Sequence, residues 1–180
     1  FVIRQMRRFK DAGIDARIAE VWGAVRSTSA SKVAEIVRYK KLFTSDFLAA
    51  ADLRNGRVIY SSTCFVCHKL FGTGGAIGPE ITGSNRADLD YILENLIDPN
   101  ALVGKDHQMS VVEMKDGRAI TGRISAQNES ALTIQTQTEQ IVVDRSEVAA
   151  LQTLPISLMP EGQLQSLTDK DARDLIAYLA

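Results

Sequence analysis

Apolar residues between positions 1 and 48 recur every three or four residues, the spacing of one face of a helix. They form two stripes, the first made of Ile14, Ile18, Val21, Trp22 and Val25, and the second of Val33, Ile36, Val37 and Leu42. The polar stretch "RSTSAS" separates the stripes, and Ser29 or Ser31 within it can cap the second helix. We therefore predict two helices in this segment, with Trp22 as a core anchor.

The pattern remains helical on both sides of a glycine-rich interruption further along the chain. Residues Ala49–Ser62 predict a helix in which Gly56 and Tyr60, four positions apart, share a face. The stretch "FGTGGAIGPEITGSN" at 71–85 is too rich in glycine and threonine for a regular helix and predicts an ordered loop. Another helix is predicted at Asp88–Ile97, where leucine and isoleucine keep helical spacing until "DPN" stops them.

The period changes from helical to alternating in the second half of the chain. Apolar runs flank an Asp116–Gly117 turn, a strong hairpin signal, and "ALTIQTQ" and "QIVVD" add two more apolar stretches. Four or five short strands within 108–152 predict a small antiparallel barrel or curled sheet. The chain then returns to helix, with Thr168 as the predicted N-cap and Asp169 and Asp171 complementing the helix dipole.

The composition of the 180 residues, with 45% hydrophobic and 24% charged residues, is that of a soluble globular protein. Its apolar runs fall far short of the roughly 20 residues that cross a bilayer, so we predict no membrane span. Residues 1–50 hold 10 Lys/Arg against 5 Asp/Glu, but without interleaved aromatic residues they indicate solvated helix faces rather than a nucleic-acid site. The first residue is Phe1, with no signal sequence after it, which indicates a piece of a longer protein.

Both cysteines of the chain and one of its two histidines fall within five consecutive positions, Cys64-Phe65-Val66-Cys67-His68. This is the C-x-x-C-H spacing of c-type haem attachment. Cysteines three apart on a helical turn point to one side, so each thiol can add to one vinyl group of the porphyrin while the next residue offers its imidazole to the iron. We predict one covalently bound haem c, with Cys64 and Cys67 forming thioethers and His68 binding the iron.

Other chemistries fit the two cysteines less well. A thioredoxin-like dithiol needs a strand-to-helix junction, but the predicted strands lie far downstream. A closed zinc site needs two more Cys or His ligands, and only His107 is left. A disulfide between residues three apart closes too small a loop to stabilise the fold much.

A haem iron in an electron-transfer protein commonly has a sixth ligand, and a methionine thioether raises the potential relative to a second histidine. The candidates are Met109, Met114, Met159 and His107. The first two fall in predicted strands, where core packing is the simpler role, and His107 is expected in a solvent-exposed turn. Met159 lies in "PISLMPEG", an irregular segment ahead of the last helix, and we predict it as the sixth ligand.

Several of these features together resemble a class I cytochrome c, namely Gly56 and Tyr60 before the motif, Gly78-Pro79 after it, a loop methionine, and a last helix with Leu175 and Tyr178. The resemblance implies that the first and last helices of the haem domain cross at a glycine and an aromatic residue. It also implies that the Pro79 carbonyl accepts the second ring N–H of His68 and so orients the imidazole.

A narrower resemblance covers nearly the whole chain. The runs "CHKLFGTGGAIGPEITGSN", "KDGRAITGRI" and "SLMPEGQLQSLTDKDARDLIAYL" look like the haem-binding domain at the C-terminus of large secreted proteins of planctomycete and verrucomicrobial type. Members are often fused behind a propeller resembling a sugar or alcohol dehydrogenase, which implies that this domain is the electron outlet.

We therefore predict a mainly α cytochrome c-like haem domain with an inserted small antiparallel β-barrel or sheet and a helical N-terminal extension. The predicted boundaries are 1–48 for the extension, 49–107 with 153–180 for the haem domain, and 108–152 for the insert. The two predicted iron ligands are 91 residues apart, longer than a minimal cytochrome requires, and the insert accounts for the excess. The insert could shield a haem edge, dock a partner or have no role of its own, and we favour docking or shielding.

The expected function is that of an electron carrier rather than an enzyme, placed in the periplasm or otherwise outside the cytoplasm, where c-type haem attachment is completed. Its partner would be a redox protein or a fused upstream dehydrogenase. The alternatives are a haem-based sensor or small-ligand-binding module with a displaceable sixth ligand, and peroxidase-like catalysis using His107. Arg86 and Asn85 are candidate contacts of a haem propionate, because arginine pairs well with carboxylates, although Ser84 or Asn85 can equally cap a helix.

Overall fold

A computed structural model describes residues 2–180, which form seven α-helices and nine β-strands. The helices are α1 (Val2–Arg7), α2 (Ala12–Val21), α3 (Ala30–Leu42), α4 (Ser45–Ala49), α5 (Leu53–Thr63), α6 (Leu89–Ile97) and α7 (Asp169–Leu179). The strands are β1 (Gly23–Val25), β2 (Lys69–Leu70), β3 (Thr73–Gly74), β4 (Leu102–Gly104), β5 (Gln108–Met114), β6 (Ala119–Gln127), β7 (Ala131–Gln135), β8 (Gln140–Asp144) and β9 (Val148–Ser157).

The N-terminal segment is helical as predicted, but its first apolar stripe does not end in a helix. Val25 lies in β1, which pairs antiparallel with β4 some 80 residues downstream. Trp22 is half-buried against this pair, where a Cβ added to Gly104 would lie 3.1 Å from the indole ring. The indole therefore packs on the β1–β4 junction and is not part of the main apolar cluster. The predicted cap is confirmed, since Ser29 accepts a hydrogen bond from the Lys32 amide.

The main core forms where α5 and α7 cross, with α3, α4 and α6 packed around them. A Cβ added to Gly56 would lie 2.1 Å from the Asp174 carbonyl oxygen and 2.7 Å from the Tyr178 Cβ, so only glycine permits this approach of the helices. The rings of Tyr60 and Tyr178 lie 5.6 Å apart beside the crossing. The predicted crossing at a glycine and an aromatic residue is confirmed. The predicted Thr168 cap of α7 is also present.

The alternating segment forms one antiparallel sheet with the strand order β8-β7-β6-β5-β9. Its predicted hairpin turn is confirmed, because Gly117 adopts a φ of 88° that favours glycine and Asp116 accepts from the Arg118 amide. One face carries a second hydrophobic cluster formed by Val112, Met114, Leu132, Ile134 and Val143.

This sheet is open among the described strands, with β8 and β9 at its edges, so a closed barrel is not confirmed. The last strand, β9, continues to Ser157, beyond the predicted end of the insert at residue 152. It contains Pro155, which cannot donate a backbone hydrogen bond. An edge strand tolerates proline because one of its two sides makes no hydrogen bonds to another strand. The division of the chain into three segments stays a prediction. Within residues 2–180, every helix is too short or too polar to span a membrane.

Candidate functional site

The two cysteines lie at the C-terminal end of α5 and just beyond it. Asp52 caps the start of this helix, and Cys64 ends it by donating its amide to the Tyr60 carbonyl. The backbone then makes one further turn, in which the Cys67 and His68 amides both donate to the Cys64 carbonyl, at 3.0 and 2.9 Å. Both cysteines are free and half-buried. The turn gives them the helical spacing that the motif predicts.

Hydrogen bonds hold both the imidazole ring and the backbone carbonyl of His68. Its Nδ1 lies 2.9 Å from the Pro79 carbonyl oxygen and donates to it, which leaves the lone pair on Nε2 for another bond. The Tyr60 hydroxyl donates to the His68 carbonyl at 3.0 Å. A Cβ added to Gly78 would lie 2.6 Å from the imidazole Cε1, so the loop backbone packs directly against the ring. The hydrogen bond implied for Pro79 is therefore present.

The glycine-rich loop is attached to the motif by backbone hydrogen bonds. The Gly75 amide donates to Phe65 at 2.8 Å, and the Gly78 amide donates to Cys67 at 2.9 Å. A Cβ added to Gly75 would lie 1.9 Å from the Val66 carbonyl oxygen. The many glycines thus allow the loop to run in contact with the motif backbone, which holds the histidine and proline together.

Burial sets the protonation state of the groups around the motif. It raises the pKa of both thiols, although a hydrogen bond from Thr63 opposes it at Cys64. It also raises the pKa of Tyr60 to about 12. At neutral pH these groups are therefore protonated, so the thiols are weak nucleophiles and the tyrosine is a reliable donor to the His68 carbonyl.

Met159 lies in the irregular segment between β9 and α7. Its side chain is half-buried and packs against the main core, as Cys64 also does. The Met159 amide donates to the Ser157 hydroxyl at 3.0 Å. The Ser157 amide in turn donates to Asn100 at 2.8 Å, and the Asn100 amide group donates to Glu161 at 2.8 Å. The segment is thus held on both sides of the methionine.

A lysine from the N-terminal segment holds the same loop. The Lys32 ammonium lies 2.7 Å from carboxylate oxygens of both Asp98 and Glu161. Burial opposes the charge, but the two carboxylates together raise the Lys32 pKa, and Lys32 lowers the pKa of Glu161. Sequence reasoning missed this contact, because no local pattern relates α3 to a loop that lies over 120 residues later.

The other candidate sixth ligands occupy different places. Met114 is buried in the sheet cluster, as predicted. The expectation of core packing is wrong for Met109, which is half-buried and alternates with Ser110 and Val112, so that it lies on the opposite face of the strand from that cluster. Neither residue is in the segment that carries Met159.

The expectation that His107 is solvent-exposed is wrong. It ends a 3₁₀ turn at Lys105–His107, is half-buried, and its Nδ1 is buried without a hydrogen bond. Burial lowers the pKa of His107, and the positive charge of Arg123 lowers it further, although Asp106 acts in the opposite direction. The turn that ends at His107 contacts β6, and Arg123 of that strand donates to the Ala76 carbonyl in the loop that orients His68.

Arg86 and Asn85 follow the glycine loop and use their donors within the chain. Arg86 donates to the Leu179 carbonyl at 2.6 Å and to the Thr82 carbonyl at 3.2 and 3.3 Å. Asn85 donates to the Asp88 carboxylate at 3.1 Å, and Asp88 itself caps α6. Arg86 thereby ties the loop to the end of α7. A propionate contact for these two residues stays a prediction.

A residue of the sheet also contacts the glycine-rich loop. The Arg123 guanidinium donates from Nη2 to the Ala76 carbonyl at 2.9 Å, two residues before Gly78. The sequence offered one signal for it, an arginine within the alternating stretch "ITGRI", but nothing indicated which way it points. The contact joins the sheet to the loop that orients His68.

These residues fit a covalently bound haem in their chemistry. Two free thiols have the helical spacing of the attachment motif, and the imidazole next to them is oriented through Nδ1 and keeps its Nε2 lone pair. In the loop before α7, Met159 is half-buried, and its backbone amide donates to the Ser157 hydroxyl. The two thiols and the imidazole are the groups that covalent attachment of a haem uses.

A comparison with known families agrees with this geometry. Residues 51–121 match the family described as "Cytochrome C oxidase, cbb3-type, subunit III". The match runs from the start of α5 through the cysteine motif, the glycine-rich loop and α6 into the first hairpin of the sheet. No curated protein matches the chain. In this part of the chain, the similarity supports a cytochrome c haem domain that serves electron transfer.

Proposed function

We propose that this chain is a single-haem electron-transfer domain in which His68 and Met159 bind the iron. The observation that carries the proposal is the hydrogen bond between His68 Nδ1 and the Pro79 carbonyl, beside two free cysteines on one helical turn. That bond fixes the tautomer with its lone pair on Nε2 and makes the imidazole a stronger ligand.

The residues of the chain have distinct roles in this proposal. Bound haem supplies a one-electron couple of its iron. Cys64 and Cys67 would hold the haem through thioethers, each thiol adding its S–H across one vinyl group so that sulfur bonds one carbon and the hydrogen the other. Pro79 and Gly78 hold the His68 ring, and the tethered loop presents Met159. No proton needs to move when the electron does.

The sixth ligand is tested by exchanging methionines one at a time. Met159→Ala is expected to abolish the near-infrared sulfur-to-iron band and to lower the reduction potential, because a thioether favours the reduced iron. Met109→Leu is the informative comparison, since Met109 is the other half-buried methionine near this region, and it should keep the band. Met6→Ala, on the exposed face of α1, is the control. A Met159→Ala protein with an unchanged spectrum contradicts the assignment.

Carbon monoxide distinguishes electron transfer from a sensor or small-ligand-binding module. A reduced protein with Met159 on the iron should react slowly or not at all at neutral pH, because the loop is held by Ser157, Asn100 and Glu161. Rapid binding in the wild type would favour the sensor. The same measurement addresses peroxidase-like catalysis, which also needs an open sixth position.

The wider setting of the domain belongs to the same proposal. We place it outside the cytoplasm, at the C-terminal end of a larger secreted protein, with electrons arriving from a fused or separate dehydrogenase. The supporting observations are the resemblance in sequence and the similarity of residues 51–121 to a cytochrome c family. Sequencing the parent transcript tests it, because a dehydrogenase-like region upstream is expected and its absence would leave a separate partner as donor.

A further inference from the structure

Two polar atoms are buried where the sheet meets the glycine-rich loop, Nδ1 of His107 and Nε of Arg123, and neither has a hydrogen bond. Three other buried side-chain atoms among residues 2–180 lack one too, but each lies within 3.6 Å of an opposite charge. Those three belong to Arg7 with Asp15 and to Asp90 with Lys40. The His107 and Arg123 atoms have neither kind of partner.

The Arg123 side chain is directed away from the buried face of the sheet. Arg123 lies between Gly122 and Ile124 on β6. Gly122 pairs with Ser110 of β5 and Ile124 pairs with Ile134 of β7, and both partners are buried. The side chains of a strand alternate, so Arg123 projects from the opposite face, where it reaches the loop carbonyl at Ala76. The 3₁₀ turn ending at His107 contacts the same strand.

The pair also lies near the predicted iron ligand. The 3₁₀ turn that ends at His107 contacts β6, the strand that carries Arg123. Ala76, which binds the guanidinium, is three residues before Pro79, the residue that orients His68. The two orphan atoms therefore belong to the neighbourhood of the haem site and not to a remote surface.

The chemistry of the two atoms defines what would satisfy them. Arginine Nε is always a donor, and histidine Nδ1 is a donor in one neutral tautomer and in the cation. Leaving a buried donor unpaired costs about 1–3 kcal/mol, and more for a charged group. A group with two acceptor oxygens and a negative charge can serve both donors, and a carboxylate is such a group.

We propose that Arg123 and His107 bind a carboxylate at the junction of the sheet and the haem loop. The inference rests on the proposed function, because haem carries propionate carboxylates and the donors predicted for them, Arg86 and Asn85, are used by other atoms of the chain. A carboxylate from outside, such as an acidic side chain of a redox partner, has the same chemistry. In both cases the role of the inserted sheet is to supply a carboxylate-binding group beside the haem loop.

The consequence is measurable as a change in the haem. Removing the guanidinium leaves a negative carboxylate uncompensated near the iron, which favours the ferric state and lowers the reduction potential. Arg123→Gln should therefore have a lower potential than the wild type, and Arg123→Lys, which keeps the charge and loses the Nε donor, should lie between them. His107→Asn should shift the potential less, since it removes one donor and no permanent charge.

The control is another arginine of the same sheet. Arg118 is 70% exposed in its side chain and pairs only with Asp116 at the hairpin turn. Arg118→Gln removes the same charge from the chain without touching the proposed site. Its potential should equal that of the wild type, which separates a local contact from a general charge effect.

The two sources of the carboxylate are distinguished on the holoprotein. Propionate vibrations are followed by resonance Raman spectroscopy, and binding of acetate is followed by NMR of the His107 and Arg123 side chains. Shifted propionate modes in Arg123→Gln, with no effect of acetate on the wild type, identify the haem propionate. Saturable acetate binding that Arg123→Gln loses, with unchanged propionate modes, identifies an external carboxylate.

Failure of this inference differs from failure of the proposed function. If Arg123→Gln, Arg123→Lys and His107→Asn keep the wild-type potential and propionate modes, and acetate does not bind, the carboxylate site is overturned while the haem assignment stands. A protein without covalent haem contradicts the proposed function instead. In that case the acetate titration alone tests whether Arg123 and His107 bind a carboxylate, since it needs no haem signal.

Discussion

The crossing of α5 and α7 makes Gly56 the position where the smallest change should have a large effect. An alanine there places a Cβ 2.1 Å from the Asp174 carbonyl oxygen and 2.7 Å from the Tyr178 Cβ. Ordinary carbon contacts lie at about 3.5–4.0 Å, so the helices must separate by roughly 1 Å or more. Overpacking of this kind costs about 1–3 kcal/mol, and a backbone obstruction favours the upper end.

Alanine offsets part of this loss of stability, because it is a better helix former than glycine by up to about 1 kcal/mol. We therefore expect Gly56→Ala to lower the free energy of unfolding by about 2 kcal/mol. With a urea dependence of about 2 kcal/mol per M, the midpoint of unfolding should fall by roughly 1 M. Urea titration followed by circular dichroism measures this shift.

Gly83→Ala is the matched control for this prediction. A Cβ at Gly83 has no heavy atom within 4 Å, and the residue is not in the left-handed region. The substitution should leave stability unchanged or raise it by about 0.4–1 kcal/mol through the unfolded chain. Equal midpoints for Gly56→Ala and Gly83→Ala would refute the close crossing of the two helices.

Three further predictions concern charged groups. Lys32→Ala leaves Asp98 buried without its cation and should lower the free energy of unfolding, measured in urea, by about 2–3 kcal/mol. The control Arg17→Ala, in an exposed pair, should lower it by less than about 1 kcal/mol. Similar losses for the two variants would contradict the role of Lys32. Because Lys32 lowers the pKa of Glu161, the stabilisation from Glu161 is present above its ordinary pKa and lost as pH falls through its folded value. Stability measured against pH should thus fall less in acid for Glu161→Gln than for the wild type, and parallel curves would argue against it. Asp174 is fully buried, and hydrogen bonds from its neighbours lower its pKa although burial alone would raise it. Above that pKa, Asp174→Asn should lower the free energy of unfolding by about 3 kcal/mol, and in strong acid this loss should disappear. A loss independent of pH would contradict the prediction.

Features determined by neighbours in the chain were predictable. The C-x-x-C-H motif, the Thr168 cap and the Asp116–Gly117 turn each depend on a few adjacent residues, and the structure has each in the predicted place. The hydrogen bond of Pro79 with His68 followed from a resemblance rather than from any pattern in this chain. In these cases the local sequence, or the family it resembles, specifies the conformation.

Features determined by distant residues were not predictable from periodicity, and the crossing of α5 and α7 at Gly56 was predicted only through a family resemblance. Val25 continues a helical stripe in sequence but forms a strand, because its partner Leu102 lies 77 residues away. His107 was expected at the surface, yet it is half-buried and its turn contacts β6. The contact of Arg123 with Ala76 depends on how the whole sheet packs on the loop. Such pairings depend on tertiary packing, which periodicity does not encode.

The measurement that tests the account most directly is the covalent attachment of haem at Cys64 and Cys67. The protein is produced in a host that matures c-type cytochromes and digested, and the peptide containing residues 64–68 is examined by mass spectrometry. We expect this peptide to carry one haem that resists acidic acetone, and Cys64→Ser with Cys67→Ser to lose it completely. A fully folded wild-type protein whose peptide has two unmodified thiols would contradict the account.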